Sequence, residues 1–262
     1  MTIGIIGGCG KMGRFFETFF KNFGYEVFIS DISCGISIEE LLSRCKIILI
    51  SVPMEVFEDV VKQISPLIKK EHWVLDICSL KKQPVEAMQK FLNCEEILGT
   101  HPLFGPYEKD LTNKTIVLCK IKGNSIFSWA KNIFSKAGLK IIEIDPEEHD
   151  KIMGVVQTLN HFLLIVLAHT IKEFDLKKLV ELATPSFLQQ LHILKRFAWQ
   201  DENLYARIQF DNPIAEEIRD TFCTLCQNIN TEFKTKNKEE IFKKYFLEAK
   251  KIAKTLEKLL SS

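Results

Sequence analysis

Short apolar runs alternate with amphipathic stretches over the first 143 residues of the chain. Seven runs are predicted strands because they are short and rich in β-branched residues: TIGII, EVFIS, KIILIS, HWVLDIC, EILGT, TIVLC and LKIIEI. Between several of them apolar residues recur every three or four positions, as at 12–23, 55–68 and 125–137, which predicts helices. This alternation predicts an α/β fold, a doubly wound parallel sheet with helices on both faces.

The strand pattern stops near Ile144, and a helical pattern replaces it. Asp145-Pro146-Glu147-Glu148 is typical of a helix start, with an N-cap aspartate, proline at the first position and acids in the first turn. Apolar residues then recur at helical spacing to about Phe174. The middle of this helix is apolar on all sides, so we expect it to be buried between domains or subunits. We expect an α/β domain over 1–146 and an all-α domain over 147–262.

The composition is that of an ordinary soluble globular protein, with 46% hydrophobic and 26% charged residues. Lys+Arg number 35 and Asp+Glu 34, so neither a nucleic acid nor an anionic membrane surface is indicated as a partner. The longest apolar run, HFLLIVLAH, is about half the ~18 residues of a membrane span. Because no signal segment is recognised either, we expect a cytoplasmic protein.

Eight cysteines are scattered through predicted strands and helices, and we interpret them as reduced core thiols. Cys223-x-x-Cys226 is the only close pair, and neither a second pair nor a histidine follows it within thirty residues. A zinc site needs such further ligands, so we expect no metal site.

A glycine-rich turn, Gly8-x-Gly10-x-x-Gly13, directly follows the first predicted strand and opens the first helix. In this context Gly8 allows the tight turn, Gly10 lets the backbone approach a pyrophosphate, and Gly13 lets the helix pack against the strand. The free N–H groups and dipole of the helix then hold the phosphates. The motif predicts a dinucleotide-binding domain of the Rossmann type.

Asp31 ends the second strand, eighteen residues after Gly13. Its carboxylate suits the ribose hydroxyls of NAD and would repel the extra phosphate of NADP, and no arginine follows it before Arg44. We therefore expect NAD as the cofactor. Ser51-Val52-Pro53 follows the third strand, so this loop should border the cofactor too. The expected cofactor-binding residues are Gly8, Cys9, Gly10, Lys11, Met12, Gly13, Asp31, Ser51 and Pro53.

Two polar side chains follow neighbouring strands at the edge where the nicotinamide should lie. Ser79 comes just past the fourth predicted strand and His101 just past the fifth. Glycines and prolines on both sides of His101 fix the backbone path, as a catalytic imidazole or a simple tight turn requires. We expect Ser79 to hold one imidazole nitrogen, which leaves the other free to take a proton.

Six segments occur in a set order: GGCGKMGRFF, SVP, DICSLKK, GTHPLFGP, EEHDKIMGVVQTLNHF and LKRFAWQDENLYARI. Together they resemble prephenate dehydrogenase over about residues 3 to 210, and the HPLFGP and RFAW segments are the most specific. The resemblance implies NAD-dependent oxidative decarboxylation of prephenate to 4-hydroxyphenylpyruvate in tyrosine biosynthesis, with His101 as the base and tyrosine as a feedback inhibitor. Because the chain starts at the first predicted strand, we expect it to lack the chorismate mutase domain that some members carry at the N-terminus.

The same resemblance assigns two residues of the helical half to substrate binding. Arg196 matches the family arginine that binds a substrate carboxylate, and His161 matches a histidine that lines the same cleft. By helix geometry alone Gln157 and His161 share a face. Lys81 lies near the expected pocket, where it either adds positive potential or is solvated. No role is assigned to the remaining histidines at 72, 149, 169 and 192.

Two other functions are compatible with these motifs. Arogenate dehydrogenase has the same architecture, but its substrate carries an ammonium that needs an extra acceptor. A catalytically dead NAD-binding protein would usually have lost Ser79, His101 or Arg196, and all three are present. Pyrroline-5-carboxylate reductase starts similarly but does not explain the THPLFGP segment. The apolar faces of 147–174 and 239–260 exceed what one small helical domain covers, so we expect a homodimer.

Overall fold

The N-terminal part of the protein is built on one seven-stranded sheet, in a computed structural model that describes residues 1–261. The strands are β1 (Thr2–Ile6), β2 (Glu26–Ser30), β3 (Ile47–Ile50), β4 (Trp73–Asp76), β5 (Glu96–Pro102), β6 (Thr115–Lys122) and β7 (Lys140–Glu143). Their order in the sheet is β2-β1-β3-β4-β5-β6-β7. All seven predicted strands and the α/β fold are confirmed.

The sheet is mixed, whereas the alternation of elements predicted a parallel one. The first five strands are parallel, β6 is antiparallel to β5, and β7 is parallel to β6. The physical reason is the connection after β5, because residues 103–114 contain no helix that could carry the chain back across the sheet. A short loop of this kind returns the chain in the opposite direction.

Five helices cover the two faces of the sheet. They are α1 (Lys11–Asn22), α2 (Ile38–Arg44), α3 (Met54–Ile64), α4 (Lys82–Phe91) and α5 (Ser125–Lys136), with a short 3-10 turn at Ser65–Leu67. Side chains alternate between two cores along each strand: in β3, Ile47 and Leu49 pack with α1 and α5, whereas Ile48 and Ile50 pack with α2, α3 and α4. The sheet is therefore covered on both faces, as predicted.

From Pro146 onward the described chain contains helices and no strands, as expected. The helices are α6 (Pro146–Met153), α7 (Asn160–Ile171), α8 (Leu176–Glu181), α9 (Pro185–Leu194), α10 (Glu202–Asp211), α11 (Ala215–Glu232) and α12 (Lys238–Leu260), with a 3-10 turn at Lys195–Trp199. A π-helical segment, Gly154–Leu159, joins α6 to α7 without a break. The predicted helix start is confirmed, since Asp145 caps α6 by accepting a hydrogen bond from the Glu147 N–H.

The continuous helix from Pro146 to Ile171 is far more exposed than predicted. Val155 and Val156 are each 51% exposed, and Leu163, Ile165 and Val166 are exposed as well. The expectation that this helix is buried is therefore wrong for the single chain, because the neighbouring helices cover only one of its faces. The alternative that the sequence left open, burial between subunits, is compatible with this exposed apolar stripe.

The same helix is long and apolar enough to cross a membrane, with a mean hydropathy of 1.6 over its most apolar window, of which 22% is buried. The sequence did not predict a helix of this kind, because its longest uninterrupted apolar run, HFLLIVLAH, is only about half as long as a membrane span. Length and composition alone are weak evidence for a span, because helices that pack at protein interfaces meet the same test.

Two compact units are distinguished by their internal contacts. The first spans Met1–Ala215 and includes the sheet and helices α1 to α10. The second begins at Glu216 and contains most of α11 and the whole of α12. Within it Phe233 contacts Phe242 and Tyr245, whereas α12 buries none of its residues.

The strand order places a switch point between β1 and β3. From β1 the chain passes to β2 on one side, and it then returns to β3 on the other side. Ligands of doubly wound sheets bind at such a point, in the crevice beyond the carboxyl ends of the strands. The glycine-rich turn follows β1 and Ser51 follows β3, so both border this crevice.

Candidate active site

The turn between β1 and α1 has the compact geometry that a pyrophosphate site requires. Gly7, rather than the predicted Gly8, adopts the left-handed conformation, with φ of 80°, and its N–H donates to the Ser30 carbonyl. A Cβ on Gly13 would lie 2.8 Å from the Gly8 Cα, so only glycine lets α1 approach the turn this closely. A Cβ on Gly10 would lie 3.4 Å from the Gly7 carbonyl oxygen, an ordinary contact distance, so this side of the turn is open to a ligand.

The first turn of α1 is suited to an anion. Gly10 is the N-cap and offers no side chain to the free N–H groups, and the first turn contains no acidic residue. Lys11 and Met12 begin the helix, and the Lys11 ammonium lies 6.0 Å from the ring centre of Tyr107. The backbone donors and the helix dipole therefore fit the pyrophosphate of a dinucleotide.

Asp31 follows β2 and lies directly beside this turn. Its carboxylate accepts hydrogen bonds from the N–H groups of Cys9, at 2.9 Å, and Ile32, at 2.7 Å. The carboxylate is thus oriented at the place where a ribose would lie. One arginine that the sequence did not associate with Asp31 lies near this turn. Arg14 donates to the sulfur of Cys9 at 3.3 Å, and its charge is paired with Glu17 at 2.9 Å.

Cys9 and Cys34 form a disulfide across the mouth of this turn, with their Cα atoms 6.5 Å apart. The expectation that all eight cysteines are reduced core thiols is corrected at this pair, because the fold brings together two cysteines that are 25 positions apart. It is also corrected at Cys223 and Cys226, which are exposed thiols. The other four cysteines are buried and free, as expected: Cys45, Cys78, Cys94 and Cys119.

Ser51 and Pro53 lie at the carboxyl end of β3, on the other side of the switch point. The Ser51 N–H donates to the Ile6 carbonyl at 2.8 Å, which ties this loop to the end of β1. Pro53 is the N-cap of α3, which begins at Met54. Both residues therefore border the crevice.

A buried ion pair supports the carboxyl ends of β4 and β5. The Lys81 ammonium binds the carboxylate of Asp76, and both side chains are fully buried. It also donates to the Thr100 carbonyl at 2.6 Å, next to His101. The interpretation of Lys81 as a solvated residue is wrong, because the side chain is fully buried and fixes the strand ends. The other interpretation agrees with the structure, since the charge of Lys81 acts on His101.

His101 lies within β5, one residue before its end, and is 3% exposed. Its Nδ1 is hydrogen-bonded to Nε2 of His149 at 2.9 Å, and Nδ1 of His149 binds Asp150 at 2.7 Å. Burial lowers the pKa of His101 well below its usual range, and the neighbouring His149 and Lys81 lower it further. His101 is therefore neutral at pH 7, the state that a general base requires.

The expected contact between Ser79 and His101 is not formed within residues 1–261. Ser79 is half-buried in the loop between β4 and α4, and His149 occupies the imidazole nitrogen that Ser79 was expected to hold. The reason is that α6 packs its first turns against α4, which brings His149 to the end of β5. The Ser79 hydroxyl thus remains available to a bound molecule.

A second cluster lies further along the same helix, around His161. The ring of His161 stacks on Tyr205 with the centroids 4.0 Å apart, and Phe197 packs edge-on against Tyr205. Burial lowers the pKa of His161 to about 4, and the positive charge of Arg196 contributes. Burial raises the pKa of Tyr205, and the same arginine opposes that shift. The charge of Arg196 therefore acts on both rings.

This cluster contains unsatisfied polar groups. Within residues 1–261, Oε1 of Gln157 and Nδ1 of His161 are buried without a hydrogen-bond partner, and Arg196 is exposed and forms no ion pair. Buried polar atoms are nearly always paired, so a bound ligand is a natural partner for these two. The cluster therefore combines a free cation with two unused hydrogen-bonding atoms.

Comparisons with known proteins agree with this geometry. Residues 32–143 match the nucleotide-binding domain of prephenate dehydrogenase, and residues 145–248 match its dimerization domain. The chain belongs to the prephenate dehydrogenase family. The matched ranges adjoin where the strands end and the helices begin, and the N-terminal half is the NAD-binding domain of that family.

Several relatives within this family are informative. The chain is 35% identical to a probable arogenate/prephenate dehydrogenase of Methanocaldococcus jannaschii, over 93% of this chain and 59% of the relative. It is 33% identical to a T-protein of Enterobacter agglomerans, over 78% of this chain and 55% of that protein. The chain thus spans somewhat more than half the length of these relatives.

Solved structures of the family share the fold. The prephenate dehydrogenase of Aquifex aeolicus, in complex with hydroxyphenyl propionate and NAD+, superposes with a TM-score of 0.76 at 21% identity, over 97% of this chain and 98% of that one. The arogenate dehydrogenase of Synechocystis superposes with a TM-score of 0.73 at 18% identity, over 97% of this chain and all of that one. At these identities the likeness shows the fold.

Sequence reasoning missed part of the site. It assigned no role to His149 and did not consider Asp150 or Tyr205, although all three lie within the segments that carry the family resemblance. The available signal was their place in these segments, since His149 and Asp150 both lie in EEHDKIMGVVQTLNHF. Only the folded chain shows which of the histidines meets His101.

Proposed function

We propose that this protein catalyses the NAD-dependent oxidative decarboxylation of prephenate to 4-hydroxyphenylpyruvate. The observation that carries the proposal is the buried, neutral His101, whose Nδ1 is occupied and whose Nε2 has no hydrogen-bond partner within residues 1–261. Such a nitrogen can accept the proton of the substrate 4-hydroxyl. Membership in the family and the anion-binding first turn of α1 support the same reaction.

Different residues of this chain bind the cofactor, take up the proton and hold the substrate. The glycine-rich turn and Asp31 hold NAD, which when bound supplies the hydride acceptor. Nε2 of His101 takes the hydroxyl proton while the C4–H bond breaks with its electron pair. The C1 carboxylate then leaves as carbon dioxide, and the electrons of its bond to the ring complete the aromatic system. Ser79 is free to hold the substrate hydroxyl in line with the base.

Arg196 is proposed to bind a substrate carboxylate. Its planar guanidinium suits a bidentate contact, and nothing in the described chain neutralises it. His161 and Tyr205 form a stacked wall beside it, and the depressed pKa of His161 keeps that ring uncharged at pH 7. The positive charge that attracts the substrate dianion is thus concentrated on the guanidinium.

Two variants test these roles by failing differently. His101→Asn cannot accept the proton and should lower kcat by ~10²–10⁴ with little change in KM. Arg196→Gln should mainly raise KM for prephenate, by the equivalent of about 2–4 kcal/mol if the bound pair is desolvated. Arg44→Gln removes another exposed arginine, which pairs with Glu40 and lies over the Phe28 ring; it is the matched control and should change neither. A normal kcat for His101→Asn would refute the assignment of the base.

A second candidate is arogenate dehydrogenase, which the names of the relatives also suggest. Arogenate carries an ammonium where prephenate has a keto group, so its pocket needs an acceptor. The buried, unpartnered Oε1 of Gln157 is one. Kinetics with both substrates decide between the candidates. If arogenate is preferred, Gln157→Leu should lower kcat/KM for arogenate at least tenfold more than for prephenate.

We also propose that the protein is a homodimer formed through its helical half. The exposed apolar stripe of the Pro146–Ile171 helix is a suitable self-association surface. The match of residues 145–248 to a dimerization domain supports this proposal.

A further inference from the structure

Three buried side chains form a row that ends at the proposed base. Asp150, His149 and His101 are 1%, 1% and 3% exposed. The Asp150 carboxylate binds Nδ1 of His149 at 2.7 Å, and Nε2 of His149 binds Nδ1 of His101 at 2.9 Å. The row ends at Nε2 of His101, the nitrogen assigned to proton transfer. Every internal nitrogen in this row therefore has one partner.

The carboxylate determines the direction of each hydrogen bond. An ionised carboxylate only accepts, so Nδ1 of His149 must carry a proton and donate it. In the neutral ring the other nitrogen, Nε2, is then an acceptor. Nδ1 of His101 must therefore be the donor to it, and Nε2 of His101 is left with its lone pair. One charged group thus selects the tautomer of a ring two residues away in the row.

Asp150 is held so that it can perform this task. Its two oxygens also accept hydrogen bonds from the backbone N–H groups of Lys81, at 2.7 Å, and Lys82, at 2.9 Å, at the start of α4. These two donors engage both carboxylate oxygens and fix the orientation of the group beside His149. The Asp150 carbonyl accepts a further bond from the Asn212 side chain at 2.8 Å, which fixes the helix that carries it.

We propose that His149 and Asp150 are positioning residues that hold His101 in the Nδ1–H tautomer and aim its Nε2 at the substrate. The inference deepens the proposed function and rests on it. As the proton arrives at Nε2, the Nδ1–H bond to His149 strengthens, because the imidazolium is a better donor. The row therefore stabilises the charge that develops on the base during the reaction.

Two substitutions of His149 separate this role from simple packing. Phenylalanine keeps the ring but has no acceptor, whereas glutamine is less bulky but retains an amide donor for Asp150 and a carbonyl acceptor for His101. The relay predicts that His149→Phe lowers kcat by about 10²–10⁴ with KM within about threefold, as expected for a base in the wrong tautomer. His149→Gln should retain at least tenfold more kcat than His149→Phe. A packing role predicts the reverse order, and that result would overturn the proposal.

The control uses another buried histidine. His72 is 3% exposed, binds the Lys69 N–H and the Leu42 carbonyl, and has no contact with the site. His72→Phe should keep the wild-type kcat. Equal losses of kcat in His72→Phe and His149→Phe would mean that any buried histidine matters in the same way, which contradicts a specific relay.

Nitrogen-15 NMR of histidine-labelled wild-type protein tests the tautomer without any substrate. His101→Asn identifies the resonances of His101 by their loss. We expect a protonated Nδ1 and an unprotonated Nε2 at neutral pH, and a protonated Nε2 would overturn the relay. If neither prephenate nor arogenate is oxidised, the proposed function fails, whereas the tautomer measurement still decides the relay. The test also stands if both His149 variants fail to fold.

Discussion

Removing the buried cation at position 81 should destabilise the first compact unit severely. In Lys81→Met the methionine side chain fills the space of the lysine methylene groups. The carboxylate of Asp76, however, loses its counter-charge at a site with no exposed surface. The carboxylate keeps only the N–H groups of Cys78, at 2.8 Å, and Thr100, at 3.2 Å. The Thr100 carbonyl also loses a donor. Breaking a buried pair in this way costs about 3–5 kcal/mol.

Urea unfolding followed by tryptophan fluorescence measures this loss. Trp73, Trp129 and Trp199 all lie in the first unit, so the signal reports on the part that contains the pair. A loss of about 3–5 kcal/mol moves the unfolding midpoint by about 1 M or more. As a control, Lys62→Met breaks the exposed pair with Glu58 and should leave the midpoint unchanged.

The double variant identifies the cause. Asp76→Asn combined with Lys81→Met removes the charge that Lys81→Met leaves unpaired, so it should be more stable than the sum of the single losses by about 2 kcal/mol or more. Additive losses, or a loss below about 1 kcal/mol in Lys81→Met, would refute the reasoning that charge pairing holds these strand ends together.

Three further predictions follow from other parts of the molecule. The efficiency with NAD should exceed that with NADP at least tenfold, about 1.4 kcal/mol, and Asp31→Ser should reduce this preference; equal efficiencies in the wild type would contradict the assigned role of Asp31. The folded pKa of about 4 for His161 lies below its unfolded value near 6.5, so the unfolded chain binds the extra proton. Stability should therefore be highest above pH 6.5, fall as the pH drops towards 4 and level off below that. In His161→Gln the urea midpoint should depend less on pH in this window, and a pH dependence equal to that of the wild type would contradict the shift. Light scattering at micromolar concentration should give a dimer for the wild type and a monomer for Val156→Asp, and a wild-type monomer would exclude the proposed self-association.

The sequence predicted the sheet well because each strand is a buried run whose pattern is local. It failed at β6, since the direction of a strand depends on the loop before it and not on the strand itself. It also placed His101 beyond β5, because the pattern cannot show that pairing with β6 extends the strand to Pro102. These errors share one cause: strand partners are determined by tertiary structure.

The candidate site was predicted in part, for a related reason. Residues marked by a motif, such as Asp31 and the glycines, lie where the motif implies. The partners of His101 could not be found in this way, because His149 follows it by 48 positions and reaches it only when α6 packs against α4. The disulfide at Cys9 was missed for the same reason. Contacts between side chains of different helices and strands depend on how those elements pack, which cannot be read from a single sequence.

The π-helical segment at Gly154–Leu159 affects how this helix tolerates changes in length during evolution. A residue inserted into or deleted from an α-helix rotates everything beyond it by about 100°. A π-turn accommodates one such inserted residue without rotating the helix beyond it. Here the segment is also bonded to α10, because the Gln209 side chain donates to the Thr158 carbonyl and the Thr158 hydroxyl donates to the Ile208 carbonyl. Deleting one residue from this segment would restore a regular helix without rotating the turns on either side, so His149 and His161 would keep their directions. A one-residue gap at this joint in an alignment of relatives is therefore compatible with an unchanged arrangement of the two halves of the site, whereas a gap elsewhere in the helix is not.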